Sequence, residues 1–181
     1  MSFAPTIIVC SRKELQTKYA EALNARSKRG CNIIGCFSSH DAELADKWRD
    51  EYRITSVCFD DVDTTRSLSG YLDEKTNTFS FGLPPKCILF DDRHAQTIID
   101  SMKNTTNLLN WIVFCDVGIS RSPAIADFIA RVLSKASGDW RIHYGFMLEY
   151  AYNVHPNGLV VSTLNKYFTE TVEALSNKIE K

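Results

Sequence analysis

The chain has 181 residues, 44% hydrophobic and 24% charged, with a formal net charge of −1. This size and composition predict one soluble globular domain, residues 1–181, with a full-sized core. The near-neutral charge argues against a nucleic-acid or polybasic membrane partner, and no apolar run approaches the roughly 20 residues of a membrane span. The N-terminus also lacks a signal-peptide pattern, so we expect a cytoplasmic protein of unspecified oligomeric state.

The six cysteines predict free thiols in a reducing compartment rather than a disulfide framework. No two of them form a Cys-x-x-Cys pair, and no cysteine–histidine spacing is typical of a zinc site, so we expect no metal. Cys115 has the neighbourhood that points to chemistry. The cysteines expected to be small buried thiols in or beside apolar runs are Cys10, Cys36, Cys58 and Cys87.

The first third of the chain predicts three strands alternating with two helices. Short apolar runs indicate the strands, and apolar residues at helical spacing indicate the helices. The predicted strands are 6–10, 32–37 and 54–59, and the predicted helices are 12–25 and 40–50.

Residues 64–86 break this alternation and predict a small β-hairpin with a polar turn, closed by Pro84 and Pro85. The alternation then resumes, so the expected fold class is α/β, with a mainly parallel central sheet flanked by helices and a β-hairpin insertion. The remaining predicted elements are a helix over 92–103 capped by Asp91 or Asp92, a strand over 111–114, and helices over 123–134 and 163–179.

The sequence FCDVGISRSP, residues 114–123, predicts an anion site where a strand ends and a helix begins. Ser122 is a good N-cap and Pro123 a good first helical residue, so backbone N–H groups would converge there and favour a thiolate at Cys115. Gly118 lets the loop fold back, and Arg121 offers a planar two-pronged donor for phosphate oxygens.

The spacing of cysteine and arginine is not specific by itself, because Cys87 and Arg93 repeat it. We interpret that second match as coincidence, since it contains no glycine and has the bulky residues Leu89 and Phe90. Asp91 and Asp92 also stand where they would repel a phosphate. A cysteine at a strand end, taken alone, is also more often a packed core residue than a catalytic one. The glycine, the small residues and the Ser-Pro helix start are what favour a phosphate pocket at Cys115.

Residues 115–122 resemble the Cys-x-x-Gly-x-x-Arg-Ser/Thr signature of the cysteine-dependent protein tyrosine and dual-specificity phosphatases. The resemblance is closest to small bacterial and phage predicted tyrosine phosphatases, and it covers most of the chain from residue 54 on. Three further segments resemble that group: CFDDVD at 58–63, LFDDRHAQTIIDSM at 89–102 and HPNGLVVSTL at 155–164. The resemblance implies a cysteine-phosphatase-like fold.

The implied activity is two-step hydrolysis of a phosphomonoester through a cysteinyl-phosphate, without cofactor or metal. Cys115 would attack phosphorus, Ser122 would hydrogen-bond its sulfur, and an aspartic acid would protonate the leaving oxygen and then activate water. The implied partner is a phosphorylated protein or another phosphomonoester. The residues implied to bind phosphate are Asp116, Val117, Gly118, Ile119, Ser120 and Arg121.

The general acid is not fixed by the sequence. Asp61 is the first choice, because it matches the carboxylate of the family-like Phe-x-Asp segment. The alternatives are Asp60, Asp63, Asp91 and Asp92.

Phe114 stands where the wider phosphatase pattern has a histidine that positions the loop and favours the thiolate. This departure keeps a non-catalytic phosphate-binding module open as a second hypothesis. A third is a phosphatase acting on an RNA 5′-phosphate or a small metabolite, although the near-neutral charge counts against RNA. Rhodanese-like sulfur transfer fits less well, because its loop spaces cysteine and arginine more tightly.

Three smaller expectations concern residues around the loop. We expect the Asp116 carboxylate to be solvated, with its amide the more important group, and Asn157 to brace the loop. The aromatic residues expected to pack in the core or in a subdomain, with the alternative that one of them lines a substrate cleft, are Trp140, Tyr144, Phe146, Tyr150 and Tyr152.

Overall fold

Four parallel strands form a central sheet, and two short antiparallel strands form a separate hairpin, in the part of the chain that the structure describes. The structure is a computed structural model that describes residues 5–24, 31–62, 71–73, 78–80, 87–106, 108–150 and 152–179. The sheet strands are β1 (Thr6–Ser11), β2 (Cys31–Phe37), β3 (Thr55–Cys58) and β6 (Asn110–Cys115), and the hairpin strands are β4 (Tyr71–Asp73) and β5 (Thr78–Ser80). The strand order β1-β6-β2-β3 places β6 in the interior of the sheet.

The helices cover both faces of the sheet. They are α1 (Arg12–Thr17), α2 (Ala20–Asn24), α3 (Ala42–Tyr52), α4 (Asp92–Asn104), α5 (Arg121–Ser137), α6 (Arg141–Tyr150), α7 (Gly158–Asn165) and α8 (Phe168–Ile179), with a 3₁₀ turn at Ser39–Asp41.

The predicted α/β class, with a mainly parallel sheet flanked by helices and a small hairpin, is confirmed. The helix predicted over 12–25 is instead α1 and α2, because the amide of Tyr19 donates to the carbonyl of Glu14, five residues back, and widens the turn. The helix predicted over 163–179 is instead α7 and α8. Bonds that span three residues, from Lys166 and Tyr167, tighten the chain between them. Pro84 and Pro85 lie outside the described residues.

Helix α6 was not predicted, and it corrects the expectation for the aromatic residues near it. Phe146 is buried, and the hydroxyl of Tyr150 accepts a hydrogen bond from the amide of Val9 on the sheet edge. Tyr144 on α6 is exposed, as are Trp140 just before the helix and Tyr152 just after it.

Successive residues of β6 point to opposite faces of the sheet and enter different cores. Trp111, Val113 and Cys115 belong to the larger core, which α4, α5, α7 and α8 complete. Ile112 and Phe114 belong to the smaller core, which α1, α2 and α3 complete. Cys115 and Phe114 therefore lie on opposite sides of the sheet.

Phe114 is packed in an aromatic cluster. Its ring centroid lies 5.5 Å from that of Phe37 and 5.4 Å from that of Trp48. Gly35, its partner on β2, leaves the space that the ring fills, since a Cβ there would lie 2.6 Å from Cζ of Phe114. The residue that replaces the expected histidine is therefore a core residue.

Replacing Gly35 with alanine is expected to lower the free energy of unfolding by about 1–3 kcal/mol, because the new methyl group overpacks this aromatic cluster. Urea unfolding of Gly35→Ala against the wild type measures the change. Gly145→Ala is the matched control, since a Cβ there meets nothing within 4 Å and alanine favours the α6 helix. A Gly35→Ala protein as stable as the Gly145→Ala protein contradicts the packing argument.

Candidate active site

The loop between β6 and α5 lies at the carboxyl edge of the sheet, with Cys115 as the last residue of β6 and Arg121 as the first of α5. The expectation that Ser122 is the N-cap is wrong, because Ser120 occupies that position and its side chain makes no capping bond. Ser122 lies inside the first turn, and its hydroxyl donates to Sγ of Cys115 instead. Pro123 follows in the same turn, where the N–H that proline lacks is not needed.

The sulfur of Cys115 receives two hydrogen bonds within this loop. The amide of Gly118 and the hydroxyl of Ser122 each lie 3.1 Å from Sγ. Both donors point at the atom that would carry the negative charge of a nucleophilic thiolate.

Two other cysteines near this loop lie in environments that disfavour a thiolate. Burial raises the pKa of Cys10 to about 12, and burial also raises the pKa of Cys36 well above its ordinary value. Both therefore remain neutral thiols at physiological pH.

Gly118 allows the loop to fold tightly against the end of β1. Its φ of +82° lies in the left-handed region, and an added Cβ would come within 2.8 Å of the carbonyl carbon of Cys10. A larger residue would push the loop off the sheet edge.

The side chain of Arg121 is 5% exposed and is fixed at both terminal nitrogens. One nitrogen, Nη1, donates to the carbonyl of Phe59 at 3.0 Å and to the hydroxyl of Ser38 at 3.2 Å. The other, Nη2, pairs with Asp116 at 2.5 Å. Nε is buried and has no hydrogen-bond partner in the described part of the chain. One buried N–H of the Arg121 guanidinium is therefore left without an acceptor among the described residues.

Asp116 departs from the expectation that its carboxylate is solvated. The carboxylate accepts hydrogen bonds from Arg121, from Arg12 and from the hydroxyl of Ser38, the last at 3.0 Å. Arg12 also pairs with Asp41 at 2.8 Å. Burial alone would raise the pKa of Asp116, but the two arginines lower it below its ordinary value. Two arginines and two aspartates thus form one network behind the loop.

Asp61 lies against the loop between β6 and α5. Its Oδ1 accepts from the hydroxyl of Ser120 at 2.7 Å and from Nδ2 of Asn157 at 3.0 Å. Asn157 is buried, and its Oδ1 caps α7 by accepting from the backbone amide of Val160. The backbone amide of Asn157 donates to the carbonyl of Ser120 at 3.1 Å. Asn157 therefore braces the loop and also holds the candidate acid beside it.

Asp60, next to Asp61, has a different environment. Its carboxylate accepts from the hydroxyl and amide of Ser39 and from the amide of Ile88. Burial alone would raise the pKa of Asp60, but these hydrogen bonds lower it. The Asp60 carboxylate therefore joins the segment after β2 to the segment before α4.

The two aspartates at the start of α4 are engaged in structural contacts. Asp91 caps α4 and pairs with Arg93, whose hydrogen bond is the main reason that the pKa of Asp91 falls to about 2. Asp92 pairs with Lys166 at 3.1 Å. The side chain of Arg93, from the second cysteine–arginine match, is 87% exposed. Asp63 lies outside the described residues.

The rim of the loop is apolar. Val117 and Ile119 are exposed, at 66% and 42%, on either side of Gly118, whose amide donates to Sγ of Cys115. Within the described ranges, no cluster of three or more histidine, cysteine or acidic side chains could hold a metal ion. Nor does any described helix have the length and apolar character needed to cross a membrane.

No protein-family model and no curated protein sequence matches the chain. Among solved structures, a human tyrosine phosphatase-like serine/threonine/tyrosine-interacting protein superposes with a TM-score of 0.50 at 14% sequence identity, covering 93% of this chain and 95% of that one. Two structures of PTPMT1, one in complex with PI(5)P, have TM-scores of 0.44 and 0.43 at 8% and 9% identity, over 94% and 95% of both chains. The likeness to the human protein shows the fold alone.

Proposed function

We propose that this chain, whose fold is that of the cysteine-dependent phosphatases, hydrolyses phosphomonoesters through a cysteinyl-phosphate intermediate. The observation that carries the proposal is the environment of one sulfur atom. Sγ of Cys115 has two donors at 3.1 Å, and the buried Nε of Arg121 stands without a partner at the other end of the same loop. A nucleophile and an unused anion donor on one short loop fit a phosphoryl group.

In the first step, the Cys115 thiolate attacks phosphorus, so that an S–P bond forms as the bond to the leaving oxygen breaks. Asp61 gives its proton to that oxygen. Arg121 and the loop amides take up the charge on the other phosphoryl oxygens.

In the second step, water attacks the cysteinyl-phosphate and the S–P bond breaks, which releases inorganic phosphate. Asp61, now a carboxylate, accepts the proton from the water. The hydroxyl of Ser122 donates to the departing sulfur, in the contact already present at 3.1 Å. After the second step Cys115 is again a thiolate and Asp61 again carries its proton, so the enzyme is ready for another substrate.

The substrate class we favour is a phosphorylated protein, with phosphotyrosine or mixed specificity. The exposed Val117 and Ile119 present an apolar rim to whatever carries the phosphate. Such a rim suits an aromatic ring better than a hydrophilic sugar or a second phosphate.

A second candidate is a phosphate-binding module without turnover. Phe114 favours it, because a buried phenyl ring on the opposite face of the sheet cannot supply the hydrogen bond of the histidine expected at that position. Both candidates predict that the loop binds phosphate.

Hydrolysis of an aryl phosphate separates them. We expect the wild-type protein to release the phenol at a rate well above that in buffer alone. Vanadate should inhibit competitively, because it adopts the five-coordinate geometry of phosphorus in the transition state. Vanadate binding without hydrolysis would establish the binding module instead.

The Asp61→Asn variant is expected to lose about 10²–10⁴-fold in rate on a phosphate ester with a poor leaving group. It should lose much less on a nitrophenyl phosphate, whose phenolate leaves without a proton. Asparagine keeps the contacts to Ser120 and Asn157, so the loop stays braced. The measurement is kcat/KM on both substrates, with Asp92→Asn as matched control. An equal loss on both substrates, or a loss in the Asp92 variant only, contradicts the assignment.

A further inference from the structure

We propose that Asp116 is a positioning residue, whose carboxylate, fixed by Arg12 and Ser38, holds the Arg121 guanidinium with its Nε–H available to a phosphoryl oxygen. The inference rests on the proposed phosphate site and adds to it an assignment for Asp116 and for Arg12.

The first step of the argument is the orientation of the guanidinium. Because the group is planar, anchoring its two terminal nitrogens fixes the direction of the third N–H. Phe59 and Ser38 hold Nη1, Asp116 holds Nη2, and Nε is the buried nitrogen without a partner among the described residues. Without Asp116, one of the two anchors is lost and the plane can turn.

The second step is that Asp116 is itself fixed from two other strands. Arg12 follows β1 and Ser38 follows β2, and both donate to the carboxylate. Arg12 is fixed in turn by Asp41 at 2.8 Å. The carboxylate therefore cannot follow a movement of Arg121, and it acts as an anchor rather than as a mobile counter-ion.

The third step concerns charge. An unpaired carboxylate near a phosphate site would repel the ligand. Here the charges of Asp116 and Asp41 are balanced by Arg12 and Arg121, so the network as a whole is neutral. Arg12 thus makes an acidic residue directly after Cys115 compatible with an anionic ligand.

Two physical readings of Asp116 lead to opposite results. If its carboxylate acts only through its charge, then Asp116→Asn removes a negative charge and tightens phosphate binding. If it positions Arg121, the same change weakens binding, because the donor is no longer held. The sign of the effect distinguishes them.

The experiment is calorimetric titration with inorganic phosphate, together with kcat and KM on an aryl phosphate. We expect Asp116→Asn to raise the Kd for phosphate about 10-fold or more, the loss of one charge-assisted hydrogen bond, and to lower kcat as well. Asp139→Asn is the matched control, since Asp139 pairs with Arg141 on the α5–α6 connection. Unchanged or tighter phosphate binding by Asp116→Asn overturns the proposal.

A double-mutant cycle tests the role of Arg12. Arg12→Met is expected to weaken phosphate binding in the wild type and to have little further effect when combined with Asp116→Asn, because Arg12 acts through Asp116. If Arg12→Met weakens phosphate binding equally in the wild type and in Asp116→Asn, then Arg12 attracts the phosphate directly, and the assignment of Arg12 is overturned. Should Asp116→Asn not fold, judged by thermal unfolding, Arg12→Met alone decides, and unchanged binding then overturns the proposal.

Phosphate binding does not require turnover, so the two proposals can fail separately. A wild-type protein that binds phosphate but hydrolyses no aryl phosphate removes the hydrolase function and leaves the positioning role to be judged by the Asp116 variants. A wild-type protein that binds no phosphate overturns both.

Discussion

The Cys115→Ser variant is expected to hydrolyse an aryl phosphate at no more than the buffer rate, a loss of roughly 10⁵-fold or more, because no other group on the loop can form the covalent intermediate. The hydroxyl is a far weaker nucleophile than the thiolate, while its size and its contacts to Gly118 and Ser122 are nearly preserved. We therefore expect this variant to keep its fold and its affinity for phosphate.

The control is Cys87→Ser, the cysteine of the second cysteine–arginine match. Initial rates on the same aryl phosphate should be unchanged in that variant. Phosphate binding by Cys115→Ser, measured by calorimetry, shows that the pocket is intact. A Cys115→Ser protein with more than a few per cent of the wild-type rate would exclude the cysteinyl-phosphate route.

The Arg121→Lys variant is expected to lose about 10³-fold or more in kcat/KM, although the charge is kept. A lysine offers one ammonium group and cannot reach the Phe59 carbonyl, Asp116 and a phosphoryl oxygen together. Loss of a single preorganised donor costs about 10²–10³-fold in comparable sites, and Arg121→Lys loses more than one.

Arg93→Lys is the matched control for this change, because Arg93 is exposed and pairs only with its neighbour Asp91 among the described residues. Kinetics of both variants, with thermal unfolding to confirm folding, give the comparison. A loss of less than tenfold in Arg121→Lys would show that charge alone suffices and that the planar geometry of arginine has no role.

The strands were predicted well from sequence, because each is a short apolar run and the buried parallel sheet needs little else. The helices were predicted less well at their ends. The breaks at Tyr19 and at Lys166 come from individual backbone hydrogen bonds that leave the apolar spacing unchanged. Helix α6 was missed because it buries little more than Phe146 and so lacks a regular apolar face.

The loop residues Cys115, Gly118, Arg121 and Ser122 are brought together by the structure, and their catalytic roles stay predictions. The sequence did not reveal the network of Arg12, Ser38 and Asp41. A signal existed, since these residues lie within four positions after the ends of the strands predicted at 6–10 and 32–37, and the ends of parallel strands meet at one edge. Choosing them over other polar residues in those loops required the register of β1 and β2 against β6.

The interior position of β6 also sets an order for biosynthesis. β1 and β2 both pair with β6, the last strand of the sheet to be synthesised, so neither strand can complete its hydrogen bonding until residue 115 has been made. Arg12 must find Asp116 across 104 positions of chain. Pairings of such sequence separation form slowly, and until then the unpaired strands expose backbone N–H and C=O groups and apolar side chains. A nascent chain truncated before Asn110 would therefore lack both the β6–α5 loop and an interior strand of the sheet.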